Sequence, residues 1–178
     1  MEKIVTEIFK TSFGELILGS FKEQLVLCDW RFRKMRTAID KRIQEKFDTT
    51  FEPGNSDVLA QTKIQLEEYF SGERNEFEIP LLFAGSDFQI SVWNELMKIP
   101  FGKTETYLNL SKKLNNLKAI RAVASANGAN AIAVIVPCHR VVGSSGELTG
   151  YAGGLNAKRK LLELETRHLP VEQLLLFN

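Results

Sequence analysis

The chain has 178 residues, of which 44% are apolar and 25% are charged. Its length suits one medium domain or two small ones, and its composition excludes a disordered chain, a collagen and a disulfide-rich scaffold. No stretch approaches the roughly 18 consecutive apolar residues of a membrane span, and the first ten residues do not resemble a secretory signal. Because Cys28 and Cys138 are the only cysteines, we expect two free thiols in a cytoplasmic protein that binds no membrane.

The charge is unevenly distributed along the chain, although the formal net charge is only +1. Residues 1–85 hold 12 Lys and Arg against 15 Asp and Glu, whereas residues 86–178 hold 11 against 7. Between residues 103 and 121 there are five basic side chains and a single acidic one, Glu105. This basic stretch is compatible with a phosphate-backbone partner, and charge alone is equally compatible with a solvated lysine face.

Residues 1–85 are predicted to form a small α/β domain. Loosely alternating apolar residues indicate two or three antiparallel strands up to Trp30, and a helical period follows over residues 34–46. Ser56 or Asp57 is expected to cap a second helix that runs to about Phe70, before a short strand at residues 77–82. We expect a linker at residues 82–87, and hence a second domain over residues 86–178.

The second domain is predicted to be mainly helical. Asp87 is a candidate cap for a helix over residues 88–98, and Thr104 or Thr106 for a short helix that ends at Leu114. A polar break at residues 115–116 follows, and another short helix is predicted at residues 118–126. The two short helices with the break between them suggest a helix-turn-helix. The second helix is rich in alanine, which suits close approach to a DNA groove as well as packing against another helix.

Cys138 is the candidate nucleophile. Pro137 interrupts the apolar run of residues 134–142, so we expect Cys138 at the end of a strand, facing a cavity. His139 follows directly, and an imidazole favours the thiolate form of a cysteine, although contact with this neighbour requires a kink or a bridging water. The alternative is a buried structural cysteine. Because no Cys or His pair has zinc-ligand spacing, we expect no metal.

The segment GELTGYAGG, residues 146–154, is predicted to be a flexible loop that closes over a planar ligand, with an ordinary surface turn as the alternative. Tyr151 offers a flat ring within it. Asn156 is expected to cap the last helix, which buries leucines 161, 162 and 164. Glu165 lies near the end of that helix, where carboxylates are usually solvated, and it gains a role only if it reaches His139.

The second half of the chain resembles the O6-alkylguanine-DNA alkyltransferases, also called methylated-DNA–protein-cysteine methyltransferases. The resemblance covers residues 88–165 through the segments FQISVW, IPFGKTETY, KAIRAVASANGAN, VPCHRVVGSSGELTGYAGG and KRKLLELE. The segment PCHRV followed by GYAGG at this distance is highly specific for the family. It implies an α+β protein with a small, ribonuclease-H-like N-terminal domain before the helical one.

The resemblance also implies a role for individual residues. Cys138 would accept the alkyl group, His139 would deprotonate it through a water, and Glu165 would hold His139. The remaining roles are implied as follows: Asn130 fixes the turn before the acceptor, Tyr107 donates to the departing guanine, Arg121 fills the gap left by the extruded base, Asn116 and Ser144 touch the DNA backbone, and Val141, Tyr151, Ala152 and Gly153 line the base pocket.

The implied reaction is single-turnover repair of O6-alkylguanine, and we expect O4-alkylthymine as a second substrate. The target base must be flipped out of the duplex before sulfur attacks its alkyl carbon, and the thioether product cannot be hydrolysed. No cofactor is expected, and the partner is double-stranded DNA met by a monomer. Ala152 stands where some relatives have serine, which affects the tolerance of bulky alkyl groups. The alternatives are a non-catalytic protein that binds alkylated bases and a Cys-His-Glu thiol hydrolase.

Overall fold

The computed structural model describes residues 2–168, so the apolar segment at residues 174–177 lies outside the described residues. Its main sheet has four strands, β1 (Ile4–Thr11), β2 (Gly14–Phe21), β3 (Gln24–Trp30) and β4 (Phe51–Pro53), in the order β3-β2-β1-β4. The first three strands pair antiparallel, as predicted, and β4 adds a short parallel edge to β1. Lys22 and Glu23 form the tight β2–β3 turn with positive φ angles of 49° and 57°.

Two helices accompany this sheet. Helix α1 (Arg36–Phe47) begins two residues later than predicted. In α2 (Asp57–Ser71) the cap is Ser56, whose Oγ accepts a hydrogen bond from the Leu59 N–H at 3.2 Å. The strand predicted at residues 77–82 is wrong, because only Leu81 pairs there, in an isolated bridge with Leu25. Pro80, which lacks an N–H, interrupts that segment.

The helix that opens the C-terminal part is α3 (Asp87–Leu96). Its cap is Ser86 and not the predicted Asp87. The Ser86 Oγ accepts from the Gln89 N–H at 3.2 Å, while the Gln89 side chain accepts from the Ser86 N–H at 3.0 Å. This reciprocal capping box satisfies two backbone donors, whereas Asp87 is already inside the first turn.

The predicted helix-turn-helix is present. Helix α4 (Tyr107–Lys113) is capped by Thr106, and α5 (Ile120–Gly128) follows a 3-10 turn at Leu117–Ala119. Two short strands, β5 (Glu105–Thr106) and β6 (Val141–Val142), pair in parallel beside it. The last helix, α6 (Leu155–Arg167), begins directly after Gly154, so the predicted cap Asn156 lies inside the helix. Of its predicted leucines only Leu161 is fully buried, and Leu162 and Leu164 are partly exposed.

One apolar core joins the two parts of the chain. It contains residues of β2 and β3 together with Trp93 of α3, Val123 of α5 and Cys138. A smaller cluster lies between the sheet and α1. The α+β class is confirmed, with a mixed sheet first and helices after it. No helix within residues 2–168 is long and apolar enough to cross a bilayer.

Arginines of the N-terminal part bind the end of α5. The Arg33 guanidinium donates to the carbonyls of Gly128 and Asn130, the latter at 3.0 Å, and Arg42 donates to the Ala129 carbonyl at 2.8 Å. Cations are favourable at a helix C-terminus, where carbonyls lack partners. These bonds fix the segment that leads from α5 towards Cys138.

Candidate active site

Cys138 lies on a 3-10 turn, Cys138–Arg140, and not at the end of a strand as predicted. The preceding residues turn back on themselves because Asn130 binds their backbone. Its Nδ2 donates to the Val136 carbonyl at 3.0 Å, and its Oδ1 accepts from the Ile132 N–H at 2.9 Å. Val134 has a φ of 71°, which a continuous strand does not allow. The predicted turn-fixing role of Asn130 therefore has a direct geometric basis.

The acceptor thiol faces a cleft of about 920 Å³ that both parts of the chain line. The side chain of Cys138 is only 3% exposed. Burial raises the pKa of its thiol to about 11, although the Asn130 side chain lowers it in part. The resting group is therefore a thiol at neutral pH, and a base must take its proton before it becomes a good nucleophile.

His139, next to the acceptor, is bound to a buried carboxylate. Its Nε2 donates to the Oε1 of Glu165 at 2.7 Å, and both side chains are fully buried. Burial lowers the pKa of His139, although Glu165 raises it, so the ring is neutral at pH 7. With Nε2 protonated, Nδ1 carries the lone pair, and it has no hydrogen-bond partner among the described residues. That nitrogen is the candidate proton acceptor for Cys138.

Glu165 is the centre of a larger network than the sequence suggested. Arg140 donates to it at 3.0 Å from both Nε and Nη2, Tyr69 donates at 2.6 Å and the Gly102 N–H at 3.1 Å. Burial alone raises the pKa of Glu165, but hydrogen bonds from His139 and Arg140 hold it well below its usual range. The carboxylate stays charged and orients the imidazole.

Tyr69 and Arg140 are site residues that the sequence analysis missed. Tyr69 lies on the buried face of α2, and its hydroxyl was the available signal, because a buried tyrosine needs a polar partner. Arg140 stands in the PCHRV segment itself. It is 6% exposed and also donates to the Ile99 carbonyl at 2.6 Å.

Three of the four residues predicted to line the base pocket lie on the cleft wall. Tyr151, Ala152 and Gly153 line it together with Tyr107, as the resemblance implied. Val141 does not: it is fully buried, pairs with Glu105 in the small sheet and is not among the lining residues. Its carbonyl instead accepts from the buried Lys158, at 2.5 Å.

Lys158 is a further residue that the sequence analysis missed. Besides Val141, its Nζ donates to the Thr149 carbonyl at 2.7 Å, and burial lowers its pKa to about 8. One ammonium group thus ties β6 to the glycine-rich loop over the cleft. The loop is therefore held at Thr149, near its middle, and is not the free loop that its glycine content predicted.

Comparison with known proteins fits this arrangement. Two profiles of 6-O-methylguanine DNA methyltransferase match the chain, that of the ribonuclease-like domain over residues 4–83 and that of the DNA-binding domain over residues 87–167. The chain belongs to the 6-O-methylguanine DNA methyltransferase family. A methylated-DNA–protein-cysteine methyltransferase of Methanosarcina acetivorans is 42% identical over 89% of this chain and 96% of its own length.

Solved structures of the methyltransferase family give the same result. The O6-methylguanine methyltransferase of Mycobacterium tuberculosis is 38% identical, covers all of both chains and superposes with a TM-score of 0.78. The Mycobacterium tuberculosis protein solved in complex with DNA is 39% identical over 98% of this chain and 99% of its own, with a TM-score of 0.79. The family and α+β fold expected from the sequence are therefore confirmed.

The residues expected to meet DNA in this methyltransferase fold are on the surface. Asn116, Arg121 and Ser144 are exposed, and Tyr107 is half-buried at the start of α4. Of the basic stretch, Lys113 is paired with Glu105 at 2.7 Å, while Lys112, Lys118 and Arg121 are exposed. The individual roles of these residues in binding DNA stay predictions, as does the domain boundary at residue 85.

Proposed function

We propose that this protein repairs O6-alkylguanine in DNA by moving the alkyl group to Cys138 in one irreversible step. The observation that carries the proposal is the buried thiol in an open cleft, next to an imidazole that a buried carboxylate orients. The family is that of the 6-O-methylguanine DNA methyltransferases, and DNA is the partner. We propose that the substrate is double-stranded DNA that carries an alkylated guanine, and that the protein binds it as a monomer.

The chemistry is a displacement at the alkyl carbon. The thiol proton passes through a water to Nδ1 of His139, the sulfur forms a bond to the alkyl carbon, and the carbon–O6 bond breaks. Guanine leaves with the electron pair of that bond, and the Tyr107 hydroxyl donates a hydrogen bond or a proton to it. The proton that His139 gained returns through solvent to guanine or to Tyr107, so the charges balance. The product is a thioether, which has no carbonyl for water to attack, so each chain acts once.

The lesion has to leave the base stack to reach the cleft. Cys138 lies inside a buried turn, so a stacked base in a duplex does not come within bonding distance of its sulfur. Ala124, Asn127 and Gly128 of α5 line the same cleft. Because α5 lines the cleft and its small residues allow a flipped nucleotide to pass, we place this helix against the DNA groove.

The pH dependence of transfer tests the proton acceptor. A proton that moves from Cys138 to His139 stays in the protein, so the rate is independent of pH between the two pKa values. Because the pKa of His139 is below 6.5 and that of Cys138 is about 11, the single-turnover rate is expected to be flat from about pH 6.5 to 9. It falls at lower pH as His139 becomes protonated.

The matched variant for that profile is His139→Asn, which removes the proton acceptor. Its rate is expected to be lower at neutral pH and to rise about tenfold per pH unit, since the thiol then loses its proton to solvent. Rapid-quench measurement with O6-methylguanine duplex at saturation gives both profiles. A tenfold rise per unit in the wild-type protein would contradict the role of His139.

Arg121 tests base extrusion. If its guanidinium enters the stack in place of the flipped base, Arg121→Ala slows repair of duplex DNA strongly, by about 10²-fold at saturation. Reaction with the free base O6-methylguanine, which requires no flipping, stays unchanged. If Arg121 only contacts a phosphate, the variant repairs duplex DNA normally at saturation. Its DNA binding is then weaker, and the slope of log affinity against log salt concentration is smaller by about one. Lys118→Ala is the matched control, an exposed basic residue three positions earlier.

We propose that the protein acts in a reducing compartment, because its two cysteines are free thiols. Cys28 and Cys138 are both buried free thiols, and the reaction requires Cys138 to remain reduced. The cytoplasm provides those conditions.

A further inference from the structure

We propose that Trp30, the last residue of β3, forms a fixed wall of the acceptor cleft and limits the size of the alkyl group that Cys138 accepts. The inference rests on the proposed transfer to Cys138 and adds a substrate class to it. The protein is then selective for methyl and other small alkyl groups over bulky arylmethyl groups such as benzyl.

Trp30 reaches the site from the N-terminal part of the chain. Its side chain lines the same cleft as Cys138 and is otherwise buried, with 5% of the residue exposed. The indole Nε1 donates to the Tyr151 hydroxyl at 3.1 Å, and the two rings meet edge to face with centroids 6.0 Å apart. Trp30 therefore contacts the loop that is predicted to hold the base.

The indole also fills the space beside the loop glycine at position 153. A Cβ built on Gly153 would lie 2.5 Å from the indole, so no side chain fits there while Trp30 is present. On the other side, a Cβ on Gly14 would lie 3.1 Å from the same ring system. The ring is thus held between β2 and the loop, with little room to move.

The backbone of Trp30 is anchored as firmly as its ring. It pairs with Leu16 of β2, and its N–H donates to the buried Asp29 carboxylate at 2.9 Å. That carboxylate is paired with Arg33 and Arg36, each at 2.9 Å. A wall held on both sides and at its backbone does not yield to a larger ligand without breaking these contacts.

Size selection follows from that rigidity. A methyl group adds a single carbon at the sulfur, whereas a benzyl group adds a ring comparable to the six-membered ring of the indole. Where the alkyl group on the flipped base lies against this wall, a benzyl ring has to displace protein atoms although the whole cleft is large, and this displacement costs transition-state stability. Removal of the indole opens that space, so the variant gains activity towards the bulky lesion. A purely structural role for Trp30 predicts a different result, an equal loss with both lesions.

The experiment compares single-turnover rates at saturating duplex DNA that carries O6-methylguanine or O6-benzylguanine. In Trp30→Ala the ratio of the benzyl rate to the methyl rate is expected to rise about tenfold or more. Phe47→Ala is the matched control: it truncates a partly buried aromatic residue that packs on Phe21, in the cluster away from the cleft. Its ratio is expected to equal that of the wild type.

A double-mutant cycle tests the contact itself. Gly153→Ala is expected to slow methyl transfer in the wild-type background, because its Cβ meets the indole, and to be tolerated in the Trp30→Ala background. Trp30→Leu replaces Trp30→Ala in both assays if the alanine variant does not fold. An unchanged or lower rate ratio in a folded Trp30 variant, or equal effects of Gly153→Ala in the two backgrounds, overturns the inference. Methyl transfer by the wild-type protein is measured in the same series, and its absence would instead overturn the proposed function.

Discussion

Cys138→Ala is expected to reduce repair of O6-methylguanine in duplex DNA to the uncatalysed background while DNA binding is retained. Among the described residues that line the cleft, Cys138 has the only thiol, and its buried side chain carries no charge that DNA contacts. In the wild-type protein, intact-mass measurement after reaction is expected to show one methyl group per chain. Peptide mapping is expected to place it on Cys138.

Cys28→Ala is the control for that assignment. Cys28 is fully buried, its Sγ donates to the Ala133 carbonyl at 3.4 Å, and burial raises the pKa of its thiol well above the usual range. It is therefore unreactive, and its replacement is expected to leave the stoichiometry unchanged. A methyl group on Cys28, or more than one product molecule per chain, would contradict the mechanism, and the second result would favour a thiol hydrolase.

Glu165→Gln is expected to have two large effects. It removes the negative charge that holds His139 and leaves the buried Arg140 guanidinium without its ion-pair partner. Loss of one member of a buried pair costs about 3–5 kcal/mol in the free energy of unfolding. Transfer is expected to slow by about 10²-fold, because the imidazole is no longer oriented as a base. Urea unfolding and single-turnover kinetics measure the two effects separately.

The double variant Glu165→Gln with Arg140→Met separates stability from proton transfer. Because both buried charges are then removed, most of the lost stability is expected to return. The slow transfer is expected to persist, since His139 still lacks its carboxylate. If the double variant recovers both the transfer rate and the stability, Glu165 acts on the fold alone. If Glu165→Gln by itself has normal stability, the ion pair with Arg140 does not stabilise the fold.

The stability of the folded protein also depends on pH through Glu165 and His139. The pKa of Glu165 is lowered in the folded protein, so its contribution to stability is present above its unfolded value of about 4.5 and is lost as the pH falls below it. His139 acts in the same direction, because its pKa is lowered from 6.5 by burial. Glu165 and His139 therefore both lower the stability of the folded protein as the pH falls below about 6.5, whereas the buried Asp29, whose pKa is raised by burial, acts in the opposite direction.

The amino-acid sequence by itself determined the order of the helices, the acceptor and the family. Local signals were sufficient where neighbours in the chain decide the structure. The apolar period predicts α1, the candidate cap at Ser56 predicts the start of α2, and the PCHRV segment with its glycine-rich loop identifies the site around Cys138. Local signals failed where a competing short-range bond was stronger, as in the Ser86 capping box and in the turn that Asn130 imposes before Cys138.

Only the tertiary structure decided which distant residues complete the site. Tyr69 and Glu165 are 96 positions apart, and Trp30 and Tyr151 are 121 apart, so no spacing rule relates them. Glu165 lies near the end of a helix, where a carboxylate is usually solvated. The packing of α6 against the acceptor turn buries it with His139 and Arg140 instead. Trp30 becomes part of the cleft because β3 and the 150–154 loop share one apolar core. Burial of this kind depends on how whole elements pack, and a sequence pattern within one element does not contain it.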